Sequence, residues 1–143
     1  LYNDRQKIAG LDYQWCADLH TLAGESDFLV IAASAGAENQ KLINASVLNA
    51  MPKHAWLINI ARGSLVDESA LISALQKGVI GGAALDVYED EPNVPAALIA
   101  LDNVVLQPHV ASATHETRQK MSAVVYANVE AYFAQAPLPN IIA

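Results

Sequence analysis

The chain has 143 residues, 53% of them hydrophobic, which suits one domain of ordinary size with a real core. Its formal net charge of −7 and the lack of a lysine or arginine cluster argue against binding to nucleic acid. The single cysteine, Cys16, excludes an internal disulfide framework and favours a reducing, cytoplasmic setting. No apolar run approaches the roughly 20 residues that a membrane-spanning helix needs.

Short apolar runs separated by polar turns predict the strands of a sheet. In chain order they are the end of a strand at 1–2, then 28–33, 56–61, 80–85 and 104–106. The run at 56–61 carries apolar residues at odd and even positions, which is typical of a parallel strand buried on both faces. We expect this strand to end near Ala61, with Gly63 allowing a sharp turn of the backbone.

Helical patterns fill the gaps between these strands. They are predicted at 18–23, from the N-cap Asn44 to 49, from Asp67 to a stop at Gly78, and at 114–134. The alternation of strands and helices leaves no room for hairpins. It predicts an α/β fold, a doubly wound parallel sheet.

Ionisable side chains follow successive predicted strands. Arg62, Asp86 and His109 each come just after one strand, and Glu91 lies in the acidic loop that follows Asp86. The carboxyl ends of parallel strands meet at one edge of an open α/β sheet, where ligands bind. Each residue alone has a structural alternative, since Asp86 suits a cap, Glu91 a solvated loop and His109 a turn. Together they predict a binding site at this edge.

The residue types indicate a particular chemistry. Arg62 can clamp a carboxylate with two hydrogen bonds and polarise an adjacent carbonyl. His109 can exchange a proton with a substrate hydroxyl or ketone, while Glu91 on the other ring nitrogen fixes the tautomer and stabilises the imidazolium. No serine or cysteine stands as an obvious nucleophile, and no metal-ligand spacing appears. Proton transfer with anion clamping predicts redox chemistry carried by a cofactor.

Three segments then carry a resemblance to a known family. They are NIARGSLVDE at 59–68, GAALDVYEDEP at 82–92 and PHVASAT at 108–114. In order and spacing they are similar to the D-isomer-specific 2-hydroxyacid dehydrogenases. The stretch from 109 to 118 is most similar to the glyoxylate/hydroxypyruvate reductase branch. The resemblance implies a Rossmann-like domain that binds NAD(P) and a reductase that converts a small 2-oxoacid to the D-2-hydroxyacid.

The resemblance also implies roles for individual residues. Arg62 would hold the carboxylate and carbonyl of the 2-oxoacid, His109 would be the general acid, and Glu91 would be its partner. Asp86 would bind the carboxamide side of the nicotinamide. The cofactor-binding residues are predicted to be Asn3, Arg5, Ala33, Ser34, Ile60, Ala61, Arg62, Asp86, His109, Ala111 and Ser112. Relatives are dimers built around this domain, so a homodimer is implied as well.

Cofactor choice is predicted from the start of the chain. NAD enzymes of this fold place an acidic residue after the second strand, where it holds the adenosine ribose. After Tyr2 this chain has Asn3, and Arg5 follows two positions on. An arginine there can pair with a 2′-phosphate, which favours NADP over NAD. The alternative is that Asp4 takes the acidic role and Arg5 is merely solvated.

A Gly-x-Gly-x-x-Gly motif is absent from the sequence. Its pyrophosphate-binding turn belongs to the first strand–helix unit of the fold, so we expect that unit, and the substrate domain, to lie upstream. Residues 1–143 would then be the later part of a dinucleotide-binding domain, with 135–143 a tail that returns toward the substrate domain. On this hypothesis the 143 residues alone are inactive.

Two other functions stay open at this point. The family also resembles transcriptional corepressors that keep much of the same site, so a nucleotide-sensing interaction module is one alternative. Phosphoglycerate dehydrogenase is the other, and it would need a basic residue for the phosphate outside this sequence. The segment that follows His109 favours the reductase.

Overall fold

A computed structural model describes residues 1–141 and divides the chain into two units, Leu1–His109 and Val110–Ala143. Within the described residues the first unit carries a parallel sheet with short helices. The second unit carries one long helix.

The sheet of the first unit has four strands in sequential order, all parallel. The strands are β1 (Phe28–Ile31), β2 (Trp56–Asn59), β3 (Gly82–Leu85) and β4 (Val104–Leu106). The parallel, alternating α/β architecture predicted from the sequence is confirmed. At the strand end predicted for 1–2, the structure has one isolated parallel bridge, between Tyr2 and Trp15.

Four of the helices in the described residues begin where the sequence predicts, within one residue. The helices are α1 (Leu19–Gly24), α2 (Ala45–Ala50), α3 (Glu68–Gln76), α4 (Ala96–Ile99) and α5 (His115–Phe133), with 3₁₀ turns at Ala37–Asn39 and Gly63–Leu65. Four of the helices start with a side chain that accepts a backbone N–H, from Asp18, Asn44, Asp67 and Thr114 in turn. The exception, α4, follows Pro95 and has no side-chain cap, and the sequence analysis did not anticipate it.

Three strands are shorter in the structure than the sequence predicts. β1 ends at Ile31 rather than at 33, β2 ends at Asn59 rather than near Ala61, and β3 begins at Gly82 rather than at 80. The end of β2 has a local cause, because the side chain of Asn59 binds the backbone two and three residues on and turns the chain out of the sheet.

The two faces of the sheet are unequally buried. In β2, for which burial on both faces was predicted, Leu57 and Asn59 are buried, whereas Trp56 and Ile58 are only half-buried. Along β1, Leu29 and Ile31 are buried, whereas Phe28 and Val30 are 65% and 51% exposed. The buried face joins the core formed with residues of α1, α2 and α3, which pack in a row. The sheet therefore has one apolar face that packs against helices and one more exposed face. Both faces can be reached from the carboxyl ends of the strands.

The second unit is dominated by α5, which has no buried residue. The apolar residues that the sequence places at helical spacing are exposed, among them Met121, Val125 and Tyr132. The side chain of Asn128 donates to the Val124 carbonyl oxygen. The predicted tail at 135–143 is described only as far as 141. Over residues 1–141, no helix combines the length and the apolar character needed to cross a membrane.

Candidate active site

The end of β2 is built by Asn59, a buried polar residue that the sequence analysis missed. Asn59 is 1% exposed. Its Oδ1 accepts the N–H of Ala61 at 3.0 Å, and its Nδ2 donates to the carbonyl oxygen of Arg62 at 2.9 Å. These two bonds fix the backbone on either side of the Arg62 side chain. An asparagine at the end of an apolar run was the signal for this role.

Arg62 extends from this turn as an exposed side chain. Its Nη1 donates to the carbonyl oxygen of Ala61 at 2.6 Å, which leaves further N–H donors of the guanidinium for a ligand. Its charge also acts on Glu91 and contributes to lowering the pKa of that carboxyl group. Arg62 and Glu91 therefore belong to one electrostatic site, although they follow different strands.

The chain turns at Gly63 as predicted, since a 3₁₀ turn begins there, but the glycine is required for close packing and not for an unusual backbone angle. Its φ is not among the positive values of the chain. A Cβ added at Gly63 would overlap the carbonyl group of Tyr88 and crowd the amide of Glu89. The turn after β2 thus presses directly on the segment that follows β3.

His109 and Glu91 form the best-defined contact of the site. Nδ1 of His109 lies 2.7 Å from Oε2 of Glu91, and the N–H of Tyr88 donates to Oε1 of the same carboxylate at 3.1 Å. The hydrogen bonds from His109 and then from the Tyr88 amide, with the nearby Arg62 charge, hold the pKa of Glu91 below its ordinary 4.5. An ionised carboxylate only accepts, so Nδ1 carries the proton, and Nε2 is left for a ligand.

The backbone at His109 is also unusual. Its φ is +55°, in the left-handed region that residues other than glycine rarely adopt. Such conformations persist where surrounding contacts over-determine them, and they cluster at functional sites. The bond to Glu91 is one of those contacts, because it ties the ring to a loop on the neighbouring strand.

Asp86 directly follows β3 and is 7% exposed. Its N–H donates to the carbonyl oxygen of Asn59 at 3.0 Å, which continues the pairing of β2 and β3 by one residue. Ile60, the residue after Asn59, is 51% exposed, whereas Ala61 is buried. The edge thus offers an open apolar side chain beside an acidic residue.

The residues predicted to hold the adenosine lie in exposed loops. Nδ2 of Asn3 donates to the carbonyl oxygen of Cys16 at 2.7 Å, so this amide stabilises its own loop. Nη2 of Arg5 lies 3.0 Å from Oε1 of Glu38, and both side chains are exposed. Glu38 was not anticipated from the sequence. Oδ1 of Asp4 accepts the N–H of Arg5 at 2.6 Å.

The remaining predicted cofactor residues are exposed. Ala33 and Ser34 are exposed in the loop after β1, and the Ser34 carbonyl oxygen accepts a bond from Asn39. Ala111 and Ser112 are exposed in the second unit. Among the residues that the structure describes, no group of three or more His, Cys, Asp or Glu side chains is placed to hold a metal ion.

Comparison with known proteins gives consistent matches. Residues 1–111 match the family model described as D-isomer specific 2-hydroxyacid dehydrogenase, NAD binding domain. The chain is 46% identical over 137 residues to hydroxyphenylpyruvate reductase of Plectranthus scutellarioides, covering 96% of this chain and 44% of that protein. It is 40% identical over 137 residues to a glyoxylate/hydroxypyruvate reductase of Arabidopsis thaliana, covering 96% of this chain and 42% of that protein.

The solved structures agree. The crystal structure of an NADPH-dependent glyoxylate/hydroxypyruvate reductase from Sinorhizobium meliloti, in complex with NADP and malonate, superposes with a TM-score of 0.93 at 44% identity. That match covers 99% of this chain and 44% of the other. The chain therefore spans less than half the length of the relatives that it matches.

Proposed function

The chain belongs to the D-isomer specific 2-hydroxyacid dehydrogenase family, and we propose that the protein reduces a small 2-oxoacid of the glyoxylate or hydroxypyruvate type. The product would be the D-2-hydroxyacid, and the hydride donor NADPH. The observation that carries this proposal is the 2.7 Å contact between His109 Nδ1 and Glu91 Oε2, at an edge that also presents Arg62. The names of the relatives, which include several glyoxylate reductases, support the substrate class.

Arg62 would bind the substrate. A 2-oxoacid carries a carboxylate next to its carbonyl group, and a guanidinium can hold the carboxylate with two parallel hydrogen bonds. The same positive charge would stabilise the negative charge that develops on the carbonyl oxygen during reduction. Asn59 fixes the backbone on both sides of Arg62, so the guanidinium starts from a defined position.

His109 would supply the proton. With Nδ1–H bonded to Glu91, the protonated ring presents Nε2–H to the substrate, and that proton moves to the carbonyl oxygen as the new C–H bond forms. The ring is left neutral with its proton on Nδ1. The carboxylate of Glu91 stays ionised through this step, because its pKa is held below the ordinary value.

The residues of the edge fit a nicotinamide cofactor by their chemistry. The exposed apolar side chain of Ile60 suits the flat face of the nicotinamide ribose and ring, together with Ala61, and Asp86 beside it suits the carboxamide. Ala33 and Ser34, in the loop after β1, would contact the adenosine end of the cofactor. When bound, the cofactor supplies the hydride that the side chains of this chain cannot provide.

We assign NADP rather than NAD to the adenosine side. Arg5 is an exposed cation at the start of the chain, and a 2′-phosphate would compete with Glu38 for it. The carboxylate of Asp4, the alternative ribose ligand, already accepts the N–H of Arg5. The relative from Sinorhizobium meliloti, which is described with NADP, supports this choice. We also propose that the protein is cytoplasmic and forms a homodimer.

The test is NADPH oxidation by the complete protein with a panel of 2-oxoacids. Glyoxylate and hydroxypyruvate are compared with hydroxyphenylpyruvate and 2-ketogluconate, because relatives carry those names too. We expect His109→Gln to lower kcat by about 10²–10⁴-fold with NADPH binding intact. The matched control is His54→Gln, since Nε2 of His54 lies 2.8 Å from Oδ1 of Asp27 at the opposite edge of the sheet.

Activity that survives in His109→Gln would contradict the general-acid role. No turnover on any member of the panel, with the cofactor still bound, would contradict the reductase assignment.

A further inference from the structure

Tyr88 contacts the segments that carry Arg62, Glu91 and His109, although nothing in the proposed chemistry uses its side chain. It is 6% exposed and follows β3 by three residues. Three different groups of this residue make contacts, and each contact leads to a different predicted catalytic residue. The amide contacts Glu91 itself, the carbonyl group contacts the residue after Arg62, and the hydroxyl contacts the backbone two residues before His109.

The backbone of Tyr88 makes the first two connections. Its N–H donates to Oε1 of Glu91 at 3.1 Å, on the carboxylate whose other oxygen bonds His109. Its carbonyl group packs so closely on Gly63 that no side chain fits between them. Gly63 directly follows Arg62, so the position of Tyr88 sets the distance between the turn after β2 and the loop after β3.

The hydroxyl makes the third connection. It lies 2.9 Å from the carbonyl oxygen of Gln107 and 3.3 Å from that of Leu85, and it donates to the nearer one. Burial raises the pKa of Tyr88, so the hydroxyl keeps its proton and stays a donor. Gln107 lies two residues before His109, whose left-handed backbone needs restraint from its surroundings.

We propose that Tyr88 is a positioning residue that holds Glu91 and His109 in contact through its amide and its hydroxyl group. The amide holds the Glu91 carboxylate in place. The hydroxyl holds the backbone at Gln107, two residues before the imidazole of His109. The inference rests on the proposed reductase function, because it concerns the proton-donating pair of that reaction.

The test is Tyr88→Phe in the complete protein, which removes the hydroxyl and leaves the amide and the packing. The loss of one hydrogen bond predicts a fall in kcat of about fivefold. The KM for the 2-oxoacid and the Kd for NADPH should stay unchanged, because Tyr88 touches neither ligand in the proposed site. The matched control is Tyr13→Phe, an exposed tyrosine, which should leave all three constants unchanged.

A double-mutant cycle separates positioning from general damage. If Tyr88 acts through the Glu91–His109 pair, Tyr88→Phe in a Glu91→Gln background should change kcat by less than about twofold. A full fivefold loss in that background would overturn the proposal. So would an unchanged kcat in the single variant, or a Tyr88→Phe protein that does not fold, since that would assign the hydroxyl to stability alone.

A measurement that does not depend on turnover tests the positioning role of Tyr88 separately from the proposed reductase activity. The ¹⁵N resonance of His109 Nδ1 reports its hydrogen bond to Glu91, and Tyr88→Phe should shift it whether or not a substrate is known. If wild-type protein reduces no 2-oxoacid but the resonance shifts, the proposed function fails and the positioning role stands. An unmoved resonance overturns the positioning role.

Discussion

Two regions of the candidate site are held in very different ways. The first, the catalytic edge, comprises Arg62, Glu91 and His109 with the backbone that carries them. The second, the adenosine loops, comprises residues 3–5 and 33–38. In the catalytic edge the Arg62 guanidinium and the Glu91 carboxylate each bond a backbone group, and His109 bonds that carboxylate. In the adenosine loops the one ion pair, Arg5 with Glu38, joins two exposed side chains.

The difference matches what each region would have to do. Proton transfer needs heavy atoms within hydrogen-bond reach in a fixed geometry, and a misplacement of about 1 Å costs roughly 10²-fold in rate. Recognition of a phosphate by an arginine depends mainly on charge and tolerates motion of a long side chain. Rigid support is therefore expected at the catalytic edge, and exposed, adjustable charge is sufficient for choosing the cofactor.

Gly63→Ala should break the catalytic edge most severely. The added methyl group would overlap the carbonyl group of Tyr88, which is backbone and cannot move aside alone. We expect a loss of about 3 kcal/mol in the free energy of unfolding, measured by urea denaturation, because overpacking forces backbone shifts. Gly24→Ala in α1 is the control, since its nearest heavy atom would lie 3.4 Å from the new Cβ. Equal stability of the two variants would contradict this account of the packing.

Arg62→Lys keeps the charge of the catalytic edge but removes the planar fork. The loss of bidentate binding should raise the KM for the 2-oxoacid by about 30-fold, or about 2 kcal/mol, as expected for hydrogen bonds to charged groups. Steady-state kinetics with glyoxylate measures it, with Arg118→Lys as the exposed control. If KM stays within about twofold of wild type, the carboxylate is not held by two bonds from this side chain.

Glu38→Gln tests the adenosine loops. The substitution removes the carboxylate that pairs with Arg5, so the guanidinium becomes available to a 2′-phosphate. Because exposed ion pairs are worth at most about 1 kcal/mol, we expect the Kd for NADPH to fall by up to about fivefold and the Kd for NADH to stay constant. Isothermal titration with both cofactors measures this. An equal change for both would show that Glu38 does not act on the phosphate.

The smallest expected effect concerns pH. The pKa of Glu91 is lower in the folded protein than its ordinary 4.5, so its carboxylate stabilises the fold above pH 4.5. That contribution is lost as the pH falls through the lowered value. Urea midpoints of wild type and Glu91→Gln should converge as the pH falls below 4.5. A difference that grows below pH 4.5 would contradict the lowered pKa of Glu91.

Much of the fold could be predicted because its signals are local. The caps Asp18, Asn44 and Thr114 stand directly before the helices that they begin. Strand ends were less accurate, since the end of β2 depends on how Asn59 bonds to the chain after it. The short helix α4 was missed because it has no capping side chain.

The sequence by itself determined which residues reach the candidate site. Arg62, Asp86 and His109 follow apolar runs, and parallel strands bring such positions to one edge whatever the details of packing. The residue types also predicted the contact of Glu91 with His109, which the structure confirms. Only the tertiary structure decided the other contacts, because the connection from Tyr88 to Gln107 and the pairing of Arg5 with Glu38 join residues far apart in the chain. The reason is physical: an element forms from its own residues, whereas a contact between loops depends on strand register, close packing and backbone angles that no local pattern records.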